Sequence, residues 1–71
     1  MSNASKKPIH EYRYEYNGQQ RWAQVFYNDG AFDLHLFIDN IFQGIRTIKG
    51  HSELYAENAA ENFVMGLYDR P

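Results

Sequence analysis

Two short turn signals constrain most of what this chain can fold into. The pairs Asn17-Gly18 and Asp29-Gly30 each separate runs in which apolar and polar residues alternate. Such pairs favour two-residue hairpin turns, because both turn positions need a positive φ, which Asn, Asp and Gly adopt readily. The alternating runs have the period of two that is typical of β-strands. The sequence therefore predicts three consecutive antiparallel strands joined by tight hairpins.

A fourth strand and a helix are predicted after these hairpins. A softer turn at Asp39-Asn40 leads into a run from Ile41 to Lys49, in which Gly44 is a candidate bulge. Ser52 is a good N-cap, and helical periodicity continues from residue 52 to about residue 68. We therefore predict an α+β domain, a three- to four-stranded antiparallel β-meander with one C-terminal α-helix packed on one face.

The predicted helix has one face made of small residues with a few bulky ones. At about 100° per residue, this face collects Tyr55, Ala56, Ala59, Ala60, Phe63, Gly66 and Leu67. The small residues permit close approach to a sheet, while Phe63 and Leu67 add bulk. We expect Phe63 to be the best-buried residue of the helix.

The two hairpins also predict which side chains share each face of the sheet, because a two-residue turn fixes the register. One face is aliphatic and should lie under the helix: Tyr12, Ala23, Val25, Leu34, Leu36 and Ile45. The opposite face, here called the aromatic face, carries the candidate partner or dimer surface: Arg13, Trp22, Phe26, His35, Phe37 and Phe42. Arg46 is predicted to lie beside this second set.

One helix covers only one sheet face, so the aromatic face would leave several large rings in water. A contiguous exposed apolar patch usually marks an interaction site. Three interpretations stay open: a second copy or another protein covers the face, Arg13 stacks over Trp22 in a monomer, or single-stranded nucleic acid stacks on the rings. In the third, Arg13 and Arg46 would contact phosphates.

The outward side of the predicted helix is a second candidate surface. It carries a secondary acidic helix surface made of Glu53, Leu54, Glu57, Glu61 and Met65. Like charges at i, i+4 spacing repel weakly, and the helix N-terminus offsets part of that cost. The surface is either a solvated face or a ridge for a basic partner.

Catalysis and metal binding have little support in the sequence. A nucleophile needs an adjacent base, yet Ser52 is the only serine outside the N-terminal segment and serves as a cap. His35 and Glu11 fall one strand apart on the same face, as a catalytic base and its orienting group would. A hydrogen-bonded surface pair without a catalytic role is the commoner outcome of such an arrangement. The histidines at 10, 35 and 51 lack a paired ligand spacing. We therefore expect no enzyme, no cofactor and no metal.

Length and composition limit the remaining choices. The 71 residues allow one domain, expected over residues 10–71 after a disordered tail over 1–9, where residues 2–4 resemble a cloning remnant. There is no cysteine, no apolar run long enough for a membrane and no secretory signal, so we expect a cytoplasmic protein. The net charge of −2 disfavours a generic nucleic-acid binder.

The start of the predicted helix carries a glycine, a serine, an alanine, an asparagine and a pair of alanines, at Gly50, Ser52, Ala56, Asn58, Ala59 and Ala60. With the three strands before it, this pattern resembles the C-terminal half of the double-stranded RNA-binding domain, over about half of the chain. Where that family places phosphate-contacting lysines, this chain has Glu53, Leu54 and Glu57. Duplex RNA is held largely by phosphate and shape contacts, so the resemblance implies topology and not RNA binding.

The sequence thus predicts a small, acidic, non-enzymatic protein-interaction module or inhibitor. It would act through surface complementarity and self-associate as a homodimer or bind a protein partner. The alternative is a single-stranded nucleic-acid binder that uses aromatic residues on the open sheet face.

Overall fold

The computed structural model describes residues 7–67, which form one open sheet with a helix packed on one side. The elements are β1 (His10–Tyr16), β2 (Gln19–Asn28), β3 (Ala31–Ile38), β4 (Ile41–Lys49) and α1 (Glu53–Val64). The strands lie in the order β1-β2-β3-β4, and each neighbouring pair is antiparallel. The predicted α+β fold is confirmed, with four strands. No helix within residues 7–67 is long and apolar enough to cross a membrane.

All three connections in the sheet are two-residue hairpins with positive φ at both turn positions. The values are 50° and 81° at Asn17-Gly18, 54° and 86° at Asp29-Gly30, and 53° and 67° at Asp39-Asn40. These angles are close to those of the type I′ turn, whose twist matches that of the flanking strands. The predicted registers of the first two hairpins are therefore correct, and Ala23 lies between Tyr12 and Leu36.

A β-bulge in β4 changes the register of the third hairpin. Phe37 is paired with Phe42, but the next residue of β3, Leu36, is paired with Gly44, so Gln43 is the extra residue. Gly44 has a φ of 136°, a conformation that side chains other than hydrogen rarely allow. The bulge predicted from Gly44 is present, but its consequences for the rest of β4 were not foreseen.

Because side chains alternate along a strand, the bulge exchanges the two faces of β4 beyond Gln43. Ile45 is paired with His35 on the aromatic face, and the prediction that it lies under the helix is wrong. Arg46 is paired with Leu34 on the helix side, and the prediction that it lies beside the aromatic face is also wrong. There it lines a cleft of about 240 Å³ with Tyr55, Asn58, Ala59 and Asn62.

The core lies between the sheet and the helix. Its buried members are Ala23, Val25, Phe32, Leu34, Leu36, Ile48, Ala56, Ala59, Ala60, Phe63 and Val64. Phe63, predicted to be the best-buried helix residue, is fully buried, as are Ala56 and Ala60, and it is the largest of the fully buried side chains. The bulge brings Ile48 opposite Phe32 and so into this core. Three alanines of α1 face the sheet and let the helix approach closely.

The helix ends earlier than predicted. Ser52 caps its start, with Oγ accepting a hydrogen bond from the Tyr55 amide at 3.2 Å. Its end is a Schellman motif, in which the Gly66 amide donates to Phe63 and the Leu67 amide to Asn62. Gly66 therefore does not continue the helical face, and Leu67 is 71% exposed rather than part of the core. Residue 68, the predicted last helical residue, lies outside the described residues.

One residue assigned to the helix face is exposed, and one residue that was not assigned to it is buried. Tyr55 is 43% exposed and stacks on His51, with ring centroids 3.8 Å apart. Val64 is buried instead, because it follows Phe63 at the turn that packs on the sheet.

β1 begins at His10, the first residue of the predicted domain, and one main-chain contact lies just before it. Residues 1–6 of the predicted tail lie outside the described residues, and Lys7 and Pro8 have no regular structure. The Ile9 amide donates to the Val25 carbonyl at 2.7 Å. This hydrogen bond connects Ile9 to β2.

Candidate interaction surface and a side-chain cluster beside the helix

A continuous row of stacked side chains crosses all four strands on the aromatic face. The Arg13 guanidinium carbon lies 4.2 Å from the centre of the Trp22 ring. Trp22 stacks on Phe37 with centroids 4.5 Å apart, and Phe37 contacts Phe42 with centroids 5.5 Å apart. These separations are typical of favourable cation–π and aromatic pairs. The row follows directly from the hairpin registers, which place the four residues opposite one another.

The Trp22 end of this row is fixed by polar contacts. The Trp22 indole Nε1 donates to Glu11 at 3.2 Å, and Glu11 lies 3.8 Å from the Arg13 guanidinium. Both charged side chains are largely exposed, so their ion pair adds little stability by itself. Its effect is to hold Arg13 over the indole, which shields one end of the apolar row from water.

His35 lies in a second, adjoining row of the aromatic face. Its ring is 4.5 Å from the Phe26 ring and 6.1 Å from the Phe42 ring, measured between centroids. Burial among these rings lowers the pKa of His35, and the nearby carboxylate of Asp33 opposes this shift with a smaller effect. The His35–Glu11 pair considered from the sequence does not form, since Glu11 binds Trp22 and Arg13 instead.

The apolar side chains of the aromatic face that are most open to solvent lie at its far edge, on β4. Phe42 is 51% exposed and Ile45 is 48% exposed, whereas Trp22, Phe26, His35 and Phe37 are half-buried. Ile45 was not predicted on this side, because a regular β4 without a bulge would turn its side chain towards the helix. Gly44 was the available signal, since a glycine inside a strand often marks a bulge that changes the register.

The acidic helix surface is divided between two directions. Leu54, Glu61 and Met65 are exposed on the outward side, as predicted. Glu53 and Glu57 instead turn towards β1, so the five residues do not form one outward ridge. The reason is the helical period, which places the i and i+4 carboxylates at the border between buried and exposed sides.

Glu53 and Glu57 meet His10 at the edge of the sheet. His10 Nε2 lies 2.6 Å from Glu53 Oε2 and 3.0 Å from Glu57 Oε2. The Tyr12 hydroxyl donates to Glu57 Oε1 at 3.5 Å. Burial raises the pKa of Tyr12, and the negative charges of Glu57, Glu61 and Glu53 raise it further.

Sequence spacing did not reveal this cluster. The glutamates at i and i+4 were noted, but His10 is 43 residues before Glu53 and comes from a different element. Only the packing of α1 beside β1 brings the three side chains together.

Comparisons with known proteins identify no relative of this chain. Neither a protein-family model, nor a curated protein, nor a solved structure matches it. The resemblance to the double-stranded RNA-binding domain is neither supported nor contradicted by these comparisons and stays a prediction.

Proposed function

We propose that this protein is a small non-enzymatic interaction module or inhibitor that self-associates through the aromatic face of its sheet. One observation carries the proposal: the Arg13–Trp22–Phe37–Phe42 row, extended by Ile45, lies on the side of the sheet opposite α1. Large aromatic and aliphatic side chains at the edge of this row are half exposed. Such surfaces on small proteins usually bind another macromolecule.

The size of the aromatic face fits a weak dimer. Four strands about 4.8 Å apart and about eight residues long present a face of on the order of 500 Å². Each copy would bury on the order of 300 Å² of apolar surface, so a pair gains about 15 kcal/mol at 25 cal/mol per Å². Lost translational and rotational freedom removes about 4–15 kcal/mol of this gain. The net free energy of association therefore lies between about 0 and 11 kcal/mol. A micromolar dissociation constant, which corresponds to about 8 kcal/mol, falls within this range.

A second copy is the occupant that the composition of the face favours. The register places Glu11, Glu15 and Asp33 on this side together with Arg13 and Lys49, so charges of both signs border the rings. A surface with both signs can pair with itself across a twofold axis, since each acidic group can meet a basic group of the other copy. A strongly basic or strongly acidic partner would find no matching field there.

Single-stranded nucleic acid is the second candidate ligand. Of the two arginines expected to contact its phosphates, one does not lie on the aromatic face. Arg13 lies over Trp22 on the aromatic face, but Arg46 lies on the helix side of β4. Stacking platforms for single strands combine aromatic rings with a positively charged groove. Among residues 7–67, Lys49 is then the basic residue that remains beside Arg13 on this face.

We also propose a cytoplasmic location, which the lack of cysteine favours.

The test is the effect of Phe37→Glu on the solution mass. Light scattering over a wide concentration range should show a rising mass for the wild type and a constant monomer mass for Phe37→Glu. Circular dichroism should remain that of a folded protein, because the Phe37 side chain points away from the helix. The matched control is Leu54→Glu, which adds the same charge at a 63% exposed position on α1.

Three outcomes decide the proposal. Loss of association in Phe37→Glu with retention in Leu54→Glu supports it. Loss in Leu54→Glu alone assigns the interface to the outward side of the helix and contradicts it. A monomeric wild type also contradicts self-association, and a salt-dependent titration with single-stranded oligonucleotides then tests the second candidate.

A further inference from the structure

We propose that His10, Glu53 and Glu57 form a binding site for Zn²⁺ or a similar divalent transition-metal ion. The three side chains come from β1 and from the first turns of α1, and their ligand atoms all lie within 4.8 Å of one another. This site is on the opposite side of the sheet from the aromatic face. It is therefore independent of the proposed function and is tested separately from it.

The spacing of the donor atoms fits a metal ion with little movement. Two ligand atoms that each lie about 2.1 Å from a zinc ion are roughly 3.0–3.4 Å apart. His10 Nε2 lies 2.6 Å from one carboxylate oxygen and 3.0 Å from the other. The longer distance is already at the lower end of that range, and an opening of the shorter one by about 0.4–0.8 Å brings it there as well.

The charge of the cluster also favours a cation. One imidazole contributes at most one positive charge against two carboxylates, so negative charge remains in any protonation state of His10. Within residues 7–67, the ion pairs of Glu53 and Glu57 are made with His10. Glu61, one helical turn further on, adds to the negative field around Tyr12. A divalent ion would compensate the negative charge that His10 leaves on the two glutamates.

The ligand types select the metal. One imidazole nitrogen with two carboxylate oxygens suits zinc and its neighbours among the divalent transition metals. Magnesium and calcium prefer a full set of oxygen ligands, which this cluster does not offer. Three protein ligands also leave a position for water, as in open zinc sites.

The surroundings of the site allow an ion to enter and hold one ligand in place. The side chains of His10 and Glu57 are 30% and 28% exposed, and that of Glu53 is 53% exposed. Glu53 also lines an open cleft of about 320 Å³ with Ile9, Tyr27 and Phe32. The Tyr12 hydroxyl donates to Glu57 Oε1, while Glu57 Oε2 is directed at His10. Hydrogen bonds of this type to the second oxygen of a carboxylate orient metal ligands.

A bound ion would connect the edge strand β1 to the helix, so binding should raise the melting temperature. At a zinc concentration 100-fold above the dissociation constant, the midpoint should rise by roughly 10–20 °C. The experiment uses the 71-residue protein without an affinity tag and titrates it with zinc chloride in a calorimeter. Cobalt chloride, followed by visible absorption, reports the ligand geometry, and magnesium and calcium chloride are the negative probes.

Matched variants identify the ligands. His10→Gln and Glu57→Gln should each weaken zinc binding by about tenfold or more, because each removes one of three ligands. His51→Gln and Glu15→Gln change the same residue types away from the cluster and should bind as the wild type does. Glu53→Gln, at the most exposed ligand, serves if either of the first two variants fails to fold.

The proposal is overturned by either of two results. The first is the absence of both binding heat and a rise in melting temperature at millimolar zinc. The second is equal zinc affinity in the wild type, His10→Gln and Glu57→Gln, which would assign the ion to other residues. In both cases the cluster is only a hydrogen-bonded contact between β1 and α1.

Discussion

Arg21 of β2 donates through Nη1 to the main-chain oxygen of Phe63, 42 residues later in the chain, at 3.2 Å. The guanidinium is buried, with 5% of the residue exposed, and its carbon lies 5.2 Å from the Phe63 ring and 5.5 Å from the Tyr16 ring. Phe63 is in the last turn of α1, which has no basic residue of its own. A cation from the sheet therefore stabilises the negative end of the helix dipole.

Arg21→Ala should lower the free energy of unfolding by about 2 kcal/mol or more, because charge-assisted hydrogen bonds and buried side-chain stem are lost together. Arg21→Met, which restores the stem without the donors, should recover only part of the loss. Urea unfolding measures both. Arg13→Met at low protein concentration is the exposed control and should stay within about 0.5 kcal/mol of the wild type. Equal stability of Arg21→Ala and the wild type would contradict this role.

Phe63→Ala should destabilise the fold by about 3–5 kcal/mol, comparable to the entire stability of many domains of this size. The reason is the cavity left between α1 and the sheet, where Phe63 is fully buried. Leu67→Ala is the control, because Leu67 is 71% exposed and should change stability by less than about 0.5 kcal/mol. Thermal unfolding distinguishes the two. A melting temperature in Phe63→Ala close to that of the wild type would remove Phe63 from the core.

Gly66→Ala should be more destabilising than Gly50→Ala. Both glycines have positive φ, 83° and 75°, so an alanine at either position is strained by about 1 kcal/mol. At Gly66 the added Cβ would also overlap the Tyr16 ring, whereas at Gly50 it would meet open space. The difference between the two variants should therefore be about 1 kcal/mol or more in denaturant unfolding. Equal losses would show that Tyr16 moves aside without cost.

Ile48→Ala and Ile45→Ala should separate the two faces of β4. Ile48 is 4% exposed in the core, so its truncation should lower the free energy of unfolding by about 2–5 kcal/mol. Ile45 lies on the aromatic face, so its truncation should change monomer stability by less than about 0.5 kcal/mol but weaken self-association. The reverse order of stability losses would indicate a regular β4 without the bulge.

His35 should make the fold less stable in mild acid. Its pKa is lower in the folded chain than its ordinary value, so the fold prefers the neutral ring. This contribution is fully present above the ordinary histidine pKa of about 6.5 and is lost as the pH falls through the lowered folded value. The neighbours that pack on the ring from β2 and β4 are uncharged: Gln24, Phe26, Phe42 and Ile45.

The measurement for His35 is urea unfolding over a pH series, with the ring titrated by NMR. His35→Gln should reduce the loss of stability in acid, while His51→Gln, at an exposed ring outside the aromatic face, should retain the wild-type dependence. If the aromatic face is the dimer interface, acid should also dissociate the dimer. A His35 ring that titrates at or above the ordinary value would contradict the direction of the shift.

The sequence by itself determined the architecture and the aromatic row. A two-residue turn depends only on its two central residues and their immediate neighbours. The pairs Asn17-Gly18, Asp29-Gly30 and Asp39-Asn40 therefore specify three hairpins from local sequence. With a period of two, the hairpins then place Arg13, Trp22, Phe37 and Phe42 in one row. The N-cap Ser52 and the buried Phe63 follow equally from local rules about helix starts and helical faces.

Only the tertiary structure decided the features that depend on one extra residue or on packing between distant segments. The insertion of Gln43 exchanges Ile45 and Arg46 between faces, and a glycine in a strand does not tell where the register changes. The helix ends in the Schellman motif at Gly66, which packs against Tyr16, and Leu67 therefore stays outside the core. The placement of α1 beside β1 brings His10 to Glu53 and Glu57, and Arg21 to Phe63. Such contacts join residues about 40 positions apart, so local propensities and periodicity carry no information about them.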